Sequence, residues 1–374
     1  MPLKVIHVSP LYFSEHSVLG GGERYVHELA AAMARLPHVQ VRMVSFGPKR
    51  RTLQQDGYTA SIYPVWFYLG NKNVSPVSPL FLKELFWADI IHCHQFQSVV
   101  TDLCVLFARA FRKKVFVSDH GGSGKNYAHR LHTGDYVHGF LLVTEYLARQ
   151  YERYRDRVTV IYGGFNPARF YPRPVARARR AICVARLVPF KGQNWLIQAV
   201  PPDLELRLIG KAYDSRYEQD LRRLAAGKRV CFKVLGADDA AQEELACEYS
   251  SAGVKVLPSV YQDMYGKRHT KSEILGLVLL EAMGCATPTV VTNVGGMPEL
   301  VVDGETGFVV PPYDPAALWE KMQAILDDPA LARRLGQAGR ARALELFTWE
   351  RVARRCLEAY LSAKNTPVKS PSGR

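Results

Sequence analysis

The stretch of sequence that decides the fold is SEILGLVLLEAM, at residues 272–283. A polar start with one glutamate leads through a glycine into an apolar run, which a second glutamate, Glu281, interrupts. The run predicts a helix at Leu277–Met283, because short apolar segments typical of buried strands flank it at Val254–Leu257 and Pro288–Val291. A helix between two such strands is the repeating unit of a parallel sheet.

The same alternation of strand and helix continues in both directions along the chain. Because such alternation builds parallel sheets with helices on both faces, we predict an α/β protein. The order is the same in both halves, so we expect two Rossmann-like, doubly wound domains facing each other across a cleft. The other predicted strands are Val5–Val8, Val39–Val44, Ile90–His92, Val115–Ser118, Arg180–Ala185, Glu205–Ile209 and Val230–Val234, and the other predicted helices are Glu23–Arg35, Thr101–Phe111, Gln193–Val200, Ser215–Ala226 and Gln242–Tyr249.

The length of 374 residues suits two domains. Prolines and arginines are concentrated at residues 166–180, which predicts an exposed linker between a first domain at 1–170 and a second at 171–345. Helical segments follow to residue 364, and we expect the polar residues 365–374 to be disordered.

The composition is that of an ordinary soluble protein, with 48% hydrophobic and 22% charged residues. No apolar run reaches the roughly 18 residues that a membrane-spanning helix needs, and the N-terminus lacks the layout of a signal peptide. The seven cysteines include no C-x-x-C pair, which indicates buried thiols rather than disulfides or a zinc site. We therefore expect a cytoplasmic protein.

Positive charge is concentrated in the first half of the chain. Residues 1–180 hold 24 lysines and arginines against 12 aspartates and glutamates, whereas residues 181–374 hold 25 against 23. The asymmetry indicates an acidic partner for the first domain: an anionic lipid, a polyanionic acceptor or nucleic acid. The alternative is that these charges are merely solvated. No recognised nucleic-acid motif accompanies them, so we expect no nucleic acid.

Three basic clusters stand out in the first half, at residues 49–51, 112–114 and 149–157. They predict weak, reversible docking at an anionic membrane surface, without a spanning helix. A predicted helix nearby carries four apolar residues that would either add apolar insertion or, as is more usual for such a helix, pack in the core: Phe81, Leu82, Phe86 and Trp87. A peripheral position at the inner face of the cell membrane is thus one expectation for this protein.

The two glutamates of the 272–283 stretch stand eight residues apart. The N–H groups that begin the helix are free to bind an anion. Glu281 lies within the apolar run, where an unpaired carboxylate is costly, so we predict a function for it. Acidic residues in dinucleotide-binding folds bind a ribose diol, and Glu281 can do the same. Glu273 precedes the helix in a loop.

A second motif, ARLVPFKG at residues 185–192, lies between a predicted strand and a predicted helix. Arg186 and Lys191 are therefore expected at the carboxyl edge of the second sheet, where open α/β folds bind ligands. Two cations there can hold a diphosphate and neutralise its charge as it leaves. No two aspartates are separated by a single residue, so the sequence lacks an acidic pair of the kind that holds a divalent metal on a diphosphate. We expect no metal and no cofactor.

Glycines at residues 20–22 follow the first strand and open a helix, where they let backbone approach a ligand closely. They do not form a G-x-G-x-x-G fingerprint, and residues 9–19 are too long for a dinucleotide-binding turn. His120 follows the strand at 115–118 and precedes two glycines.

Three more histidines, His129, His132 and His138, follow His120 at spacings that fit no standard metal site. We assign them to an acceptor loop or to the surface.

These motifs resemble the group 1 glycosyltransferases, a family of retaining GT-B enzymes that includes mannosyl-, glucosyl- and N-acetylglucosaminyltransferases. The two glutamates match the paired-glutamate motif of that family, and the likeness continues through TVVTNVGGMPEL at 289–300 and GETGF at 304–308. The resemblance implies the GT-B architecture. It also implies transfer of a sugar from a UDP- or GDP-sugar to an acceptor hydroxyl, lipid-linked or small, in glycoconjugate, glycolipid or cell-surface polysaccharide synthesis.

The resemblance also implies roles for single residues. Glu281 binds the ribose of the nucleotide, and Glu273 faces the donor sugar. His120 contacts the transferred sugar, and Arg186 and Lys191 bind the diphosphate. The remaining residues expected at the donor are Gly21, Gly22, Leu235, Gly276 and Leu277. A C-terminal helix at 346–364 crosses back to the first domain.

The mechanism implied by the resemblance is front-face attack. The acceptor hydroxyl enters on the side from which the diphosphate leaves, and a phosphate oxygen takes its proton. No nucleophile or general base is then needed, and the protein acts by positioning and charge stabilisation.

One segment departs from the family pattern. The family usually has only a few residues between Ser259 and Glu273, whereas this chain has VYQDMYGKRHTK at 260–271. We expect this basic and aromatic insertion to contact the donor or acceptor or to close over the site, and the donor sugar is not taken over from the family.

Three alternatives stay open at this point. One is a nucleotide-sugar epimerase of the same fold, and another is a phosphorylase, for which the chain is short. The third is a non-catalytic protein that binds a nucleotide-sugar, against which the complete set of site residues argues.

Overall fold

The computed structural model of the protein describes residues 1–10, 21–69, 75–120, 132–236 and 238–363. Within them the chain forms two domains. The first comprises Met1–Gly163 together with the chain from Trp349 onward, and the second comprises Gly164–Thr348.

The elements are numbered in chain order. The strands are β1 Leu3–Val8, β2 Val39–Gly47, β3 Arg51–Gln55, β4 Tyr58–Pro64, β5 Phe67–Tyr68, β6 Pro76–Val77, β7 Ile90–His94, β8 Lys114–Ser118, β9 Gly139–Leu142, β10 Val158–Val160, β11 Ala178–Val184, β12 Glu205–Ile209, β13 Val230–Lys233, β14 Ala252–Leu257, β15 Thr289–Thr292 and β16 Phe308–Val310. The α-helices are α1 Gly21–Ala34, α2 Val99–Ala110, α3 Glu145–Ala148, α4 Gln193–Ala199, α5 Ser215–Leu224, α6 Asp239–Ser251, α7 Leu277–Gly284, α8 Met297–Leu300, α9 Pro315–Asp327, α10 Pro329–Leu346 and α11 Trp349–Ser362. Short 3₁₀-helices lie at Pro79–Trp87, Thr133–Tyr136, Arg149–Arg157 and Pro189–Lys191.

The first domain is built on one sheet with the strand order β10-β9-β8-β7-β1-β2-β4-β3. Every pairing is parallel except that of β3 with β4. The central strand β1 runs beside β7, and this register sets His7 opposite His92. Helices α1 and α11 pack together, with the rings of Tyr25 and Trp349 in a T-shaped contact at 5.1 Å between centroids. The last helix therefore belongs to the first domain.

The second domain carries a fully parallel sheet with the order β13-β12-β11-β14-β15-β16. Its central strands β11 and β14 are apolar along most of their length, because helices cover both faces of a parallel sheet. The buried core joins side chains such as Cys183, Leu206, Val254, Val290 and Leu318.

The predicted α/β class with parallel sheets in two domains is confirmed, and each predicted strand has a counterpart in the structure. The β3–β4 hairpin was not predicted, although Asp56-Gly57 between its strands is a standard hairpin turn and Gly57 has a φ of 83°. The short strands β9, β10 and β16 were also missed. The described residues contain no helix that is both long and apolar enough to cross a membrane.

The segment predicted as an exposed linker is indeed exposed over most of its length, at residues 171, 172 and 174–179, but it belongs to the second domain rather than joining the two. Phe165 and Phe170 are buried, and Arg177 donates hydrogen bonds to the carbonyl oxygens of Ala252 at 2.9 Å and Ala286 at 2.7 Å. The prolines and arginines thus fasten this segment to the domain. The first boundary follows Gly163 rather than residue 170. The tail at 365–374 lies outside the described residues.

Candidate functional site

The loops that follow β11 and β14 meet at the carboxyl edge of the second sheet, because these strands are neighbours. Gly192 ends the first loop with a φ of 68°, and a Cβ at this position would lie 2.0 Å from the carbonyl oxygen of Pro258. Only glycine allows this contact. The close approach brings Lys191 toward the residues that follow β14.

Lys191 and Glu273 form an ion pair at this edge, between Nζ and Oε2. The hydroxyl of Ser259 donates to the same carboxylate oxygen at 3.0 Å, and the Glu273 side chain is almost excluded from solvent. The backbone is fixed as well, since the carbonyl of Glu273 accepts a hydrogen bond from the N–H of Gly296 at 3.1 Å. Two predicted site residues therefore lie in direct contact, with the carboxylate held in one position.

Arg186 lies in the same loop and is exposed. Its guanidinium carbon is 5.7 Å from the ring centroid of Tyr213, and its carbonyl accepts a hydrogen bond from Gln193 at 2.9 Å. Within the described ranges no carboxylate pairs with Arg186. Its positive charge is therefore available to an anion.

Helix α7 begins as the sequence predicts. Gly276 precedes it in the left-handed region, with a φ of 86° and ψ of 59°, and Leu277 is its first residue. One turn later Glu281 is buried, and the hydroxyl of Tyr249 donates to its Oε2 at 3.2 Å. A buried carboxylate and a helix N-terminus thus lie on one short element, next to the loop that holds Glu273.

Lys255, in the middle of β14, was missed by the sequence analysis. It is fully buried, and its Nζ donates to the carbonyl oxygens of Val256 at 3.0 Å and Val184 at 3.4 Å. Burial lowers the pKa of Lys255 to about 8, while the nearby groups Cys183, Glu273 and Glu281 favour its charged form. A lysine inside an otherwise apolar strand was the signal that could have revealed it.

His120 follows β8 in the first domain. Burial lowers the pKa of His120 to about 4, and the neighbouring Asp119 opposes this effect only in part. The ring of Tyr25 lies against it, with centroids 4.5 Å apart. Because its pKa is far below neutrality, His120 is an uncharged hydrogen-bonding group at physiological pH.

The remaining predicted donor residues fall on chain segments at the edges of their sheets. Gly21 and Gly22 are the first two residues of α1, and the rest of the glycine loop lies outside the described residues. Leu235 is half-buried in the loop after β13. The structure leaves the roles of these three residues as predictions.

A cluster of histidines in the first domain was also missed. His7, His92 and His94 are buried on the adjacent strands β1 and β7, and their candidate ligand atoms lie within 4.8 Å of one another. Among the described residues this group has the geometry of a candidate metal site. The signal was a histidine in each of two apolar strands, which topology alone brings together.

The other histidines that the sequence analysis considered do not join this cluster. His129 lies outside the described residues. His138 accepts a hydrogen bond from the N–H of Val115 at 3.3 Å, and burial lowers the pKa of His138. His132 precedes a 3₁₀ turn with a φ of 48°.

The insertion at 260–271 is an ordered turn of the second domain. Buried Asp263 accepts hydrogen bonds from the backbone N–H groups of Tyr265 and Lys267, at 2.9 and 3.0 Å, and from His269 Nε2 at 2.7 Å. The turn is fastened to α5, where Tyr265 donates to Asp220. The exposed side chains of the turn are Gln262, Met264, Lys267, Arg268 and Thr270.

Solved structures with the same architecture define the fold class. Sucrose-phosphate synthase from Thermosynechococcus elongatus superposes with a TM-score of 0.70 at 23% identity, covering 96% of this chain and 98% of that one. HepE from Anabaena, in complex with UDP and glucose, has a TM-score of 0.75 at 18% identity, covering 96% and 100%. The protein therefore has the GT-B fold.

Family models match two adjoining parts of the chain. "Glycosyltransferase Family 4" matches residues 19–169, and "Glycosyl transferases group 1" matches residues 169–342. The chain belongs to the group 1 glycosyltransferases.

Two curated relatives resemble a little more than half of this chain. D-inositol 3-phosphate glycosyltransferase from Streptomyces avermitilis is 34% identical over 242 residues, which cover 58% of this chain and 49% of the relative. GDP-mannose-dependent alpha-(1-6)-phosphatidylinositol monomannoside mannosyltransferase from Mycolicibacterium smegmatis is 35% identical over 203 residues, which cover 50% and 51%. The matched region thus spans about half the length of these relatives.

Proposed function

We propose that this protein is a retaining, metal-independent glycosyltransferase that moves a sugar from a UDP- or GDP-sugar to an acceptor hydroxyl. The observation that carries the proposal is the ion pair of Lys191 with Glu273, in the loop that also presents Arg186. A fixed carboxylate beside two cations suits a donor with a neutral sugar and a charged diphosphate.

The charge that develops on the leaving diphosphate is the main electrostatic demand of the reaction. Arg186 has no competing carboxylate in the described parts of the chain, so it binds the diphosphate directly. Lys191 is shared between Glu273 and a phosphate oxygen, and the N–H groups at the start of α7 add a third contact. These groups take the place that a divalent metal has in other sugar transferases.

Glu281 binds the ribose, and Glu273 hydrogen-bonds the donor sugar. His120 contributes as a neutral hydrogen-bonding group, because its lowered pKa keeps it uncharged. A phosphate oxygen accepts the proton of the acceptor hydroxyl, so no side chain has to act as a general base.

The names of related proteins support the choice of substrates. HepE is named as a complex with UDP and glucose, which supports a nucleoside diphosphate as part of the donor. The curated relatives are named for acceptors that carry inositol. We propose an acceptor hydroxyl of this kind, on a small molecule or on a glycolipid, and a role in glycoconjugate synthesis.

We also propose a cytoplasmic protein that docks reversibly at an anionic membrane. Phe86 and Phe111 are exposed and in contact, with ring centroids 4.8 Å apart, and Arg112 follows directly. The other basic clusters are less suited, because several of their charges are already paired, as in Arg153 with Asp135 and Arg50 with Glu84. An aromatic pair beside a cation matches the requirements of weak interfacial binding.

Sedimentation with anionic and neutral vesicles, at low and high salt, tests the docking. The Phe111→Ser protein should lose binding to anionic vesicles. A control is Leu361→Ser, which alters another exposed apolar side chain of the same domain. Equal binding of both variants would place the contact elsewhere.

Donor binding and transfer test the main proposal. We expect UDP- or GDP-sugars to raise the melting temperature, and transfer to an acceptor to survive excess chelator. NMR of the product should show the anomeric configuration of the donor. An inverted product contradicts the retaining mechanism, and activity that chelator abolishes and manganese restores contradicts metal independence. Donor binding without any transfer to inositol-containing or crude membrane acceptors would favour a non-catalytic protein.

A further inference from the structure

A line of histidines leads from the interior of the first domain to His120. Nδ1 of His7 lies 2.8 Å from Nε2 of His94, and Nδ1 of His94 lies 3.4 Å from Nε2 of His120. The rings are stacked, with interplanar angles of 25° in the first pair and 6° in the second. These three residues are called the histidine chain below. Each contact joins two ring nitrogens, so one nitrogen of each pair must donate and the other must accept.

All members of the histidine chain are uncharged. Burial lowers the pKa of His7 to about 3 and that of His120 to about 4, and it lowers the pKa of His94 well below its ordinary value. A neutral imidazole has one N–H and one lone pair. The hydrogen bonds of the chain must therefore all run in the same direction, and the state of one ring determines the state of the next.

The direction follows from the buried end of the chain. Nε2 of His7 has no hydrogen-bond partner among the residues that the structure describes. If His7 accepts at Nδ1, its Nε2 carries a buried N–H without an acceptor. If His7 donates from Nδ1, its Nε2 is only a lone pair without a donor. Orphaned buried N–H groups are rarer in proteins than unfilled acceptors, so His7 is the donor.

The same direction continues to the predicted site. His94 accepts at Nε2 and donates from Nδ1, and His120 accepts at Nε2. His120 is then protonated at Nδ1. We propose that His7 and His94 are positioning residues that fix His120 as the Nδ1–H tautomer, which presents this N–H to an oxygen of the donor sugar. The contact with sugar rests on the proposed function, whereas the tautomer rests on the geometry of the chain alone.

A metal ion bound by His7, His92 and His94 is the competing interpretation of the same cluster. The nitrogens of His92 are already engaged, with the hydroxyl of Ser118 at 2.8 Å and that of Tyr360 at 2.7 Å. Both nitrogens of His94 and one of His7 lie in the histidine chain. In the described part of the protein no carboxylate joins the group to offset a buried dication. The hydrogen-bonded arrangement is therefore favoured over the metal site.

NMR of the full-length protein labelled with ¹⁵N-histidine tests the tautomers directly. Long-range ¹H–¹⁵N correlations distinguish a protonated ring nitrogen from a bare one. We expect Nδ1–H in His7, His94 and His120. The His7→Phe and His7→Gln variants remove the donor at the Nδ1 position and should leave His120 as a mixture of tautomers. His7→Asn places an amide N–H near that position and should restore one tautomer.

Tyr360→Phe is the matched control, because it removes a hydrogen bond to His92 in the same buried region and leaves the histidine chain intact. The spectrum of its His120 should be unchanged. In transfer assays, kcat should fall about tenfold in His7→Phe with little change in KM, a partial loss of one transition-state hydrogen bond. It should recover in His7→Asn.

Two results would overturn the inference. One is Nε2–H in His120 of the unaltered protein, and the other is a stoichiometric transition metal in the purified protein that His7→Phe removes. If the protein transfers no sugar but the tautomers are as expected, the proposed function fails and the histidine chain stands. If transfer is normal and the tautomers differ, only the histidine chain is wrong.

Discussion

The two domains share a doubly wound architecture but keep their buried polar groups in opposite states. In the first domain, burial lowers the pKa of His7, His92, His94 and His120, so these rings are neutral. In the second, buried groups are paired as ions, as in Lys191 with Glu273.

The difference lies in the available partners. The histidines face other imidazoles and hydroxyls, such as those of Ser118 and Tyr360. Buried Glu248 of the second domain faces the guanidinium of Arg207, with both oxygens at 2.8 Å. Equal burial thus leads to a neutral or a charged group depending on whether a counter-charge is within reach.

The largest effect expected from this comparison is a loss of stability in acid that is confined to the first domain. A histidine whose folded pKa is lowered contributes fully above its ordinary pKa of 6.5, and this contribution is lost as the pH falls below it. At pH 5, protonation in the unfolded state favours unfolding by about 2 kcal/mol for each of His7 and His120, about 4 kcal/mol together. His92 and His94 act in the same direction.

Hydrogen exchange measured by mass spectrometry at pH 7.5 and pH 5, corrected for intrinsic rates, resolves the two domains. Peptides from β1 and β7 should lose protection at pH 5, and peptides from β14 and β15 should retain it. In the second domain the effect of burial on the pKa of Glu248 is outweighed by hydrogen bonds from Lys233 and Arg207, which lower that pKa and keep the carboxylate ionised. Equal losses of protection in both domains would contradict the proposed difference between their buried groups.

Removing a cation from the loop that follows β11 should have the next largest effect. Arg186→Ala and Lys191→Ala are each expected to lower kcat by about 10²–10³-fold, the typical loss for one contact to transition-state charge. Stability should change little in Arg186→Ala, because that side chain is exposed. Lys191→Ala should also lose stability, because it leaves the nearly buried carboxylate of Glu273 without its counter-charge. Arg222→Ala is the control, because it removes an exposed arginine of the same domain that is paired with Glu218 on α5. Steady-state kinetics with a saturating donor measure the effect, and unchanged turnover in a loop variant would remove that residue from the site.

How much of the candidate site could be predicted from the sequence also differs between the two domains. Arg186, Lys191, Glu273 and Glu281 could be placed because each lies next to a strand end or a helix start that the local pattern marks. The histidine cluster could not, because His7 and His94 are far apart in sequence and only the pairing of β1 with β7 brings them together.

The linker was misassigned and Lys255 was missed for a different reason. The nitrogens of Arg177 and Lys255 donate to carbonyl oxygens inside the second domain, and these contacts leave no mark in the local sequence pattern.

Lys255 itself offers a test of the cost of a buried charge. Its folded pKa of about 8 lies below the ordinary 10.5, so its charged form opposes folding at pH 7 by about 3 kcal/mol. Lys255→Met keeps most of the volume and should raise the free energy of unfolding by about that amount, while activity falls because Glu273 and Glu281 lose a nearby positive charge. Chemical denaturation followed at both pH 7 and pH 9.5 measures it, and the gain should shrink at the higher pH. In Lys321→Met, an exposed lysine of the same domain, stability should stay within about 0.5 kcal/mol. If the Lys255→Met protein is less stable instead, the protein needs the positive charge of Lys255 to offset the buried carboxylates of Glu273 and Glu281.

The smallest expected effect concerns the carboxylate of Glu281, which accepts a hydrogen bond from a tyrosine hydroxyl. Glu281 is buried in α7 and accepts a hydrogen bond from Tyr249 at 3.2 Å. Glu281→Gln preserves the shape of the side chain and removes its charge. Because hydrogen bonds to charged groups contribute about 1.5–3 kcal/mol, the Kd for a nucleoside diphosphate should rise about 10- to 100-fold.

Tyr249→Phe is the matched variant: it removes the hydroxyl and keeps the carboxylate, so its Kd should change by less than about threefold. Calorimetric titration with UDP and with GDP measures both. If Glu281→Gln binds either nucleotide as tightly as the unaltered protein, Glu281 does not bind the ribose, and its burial serves the packing of α7 alone.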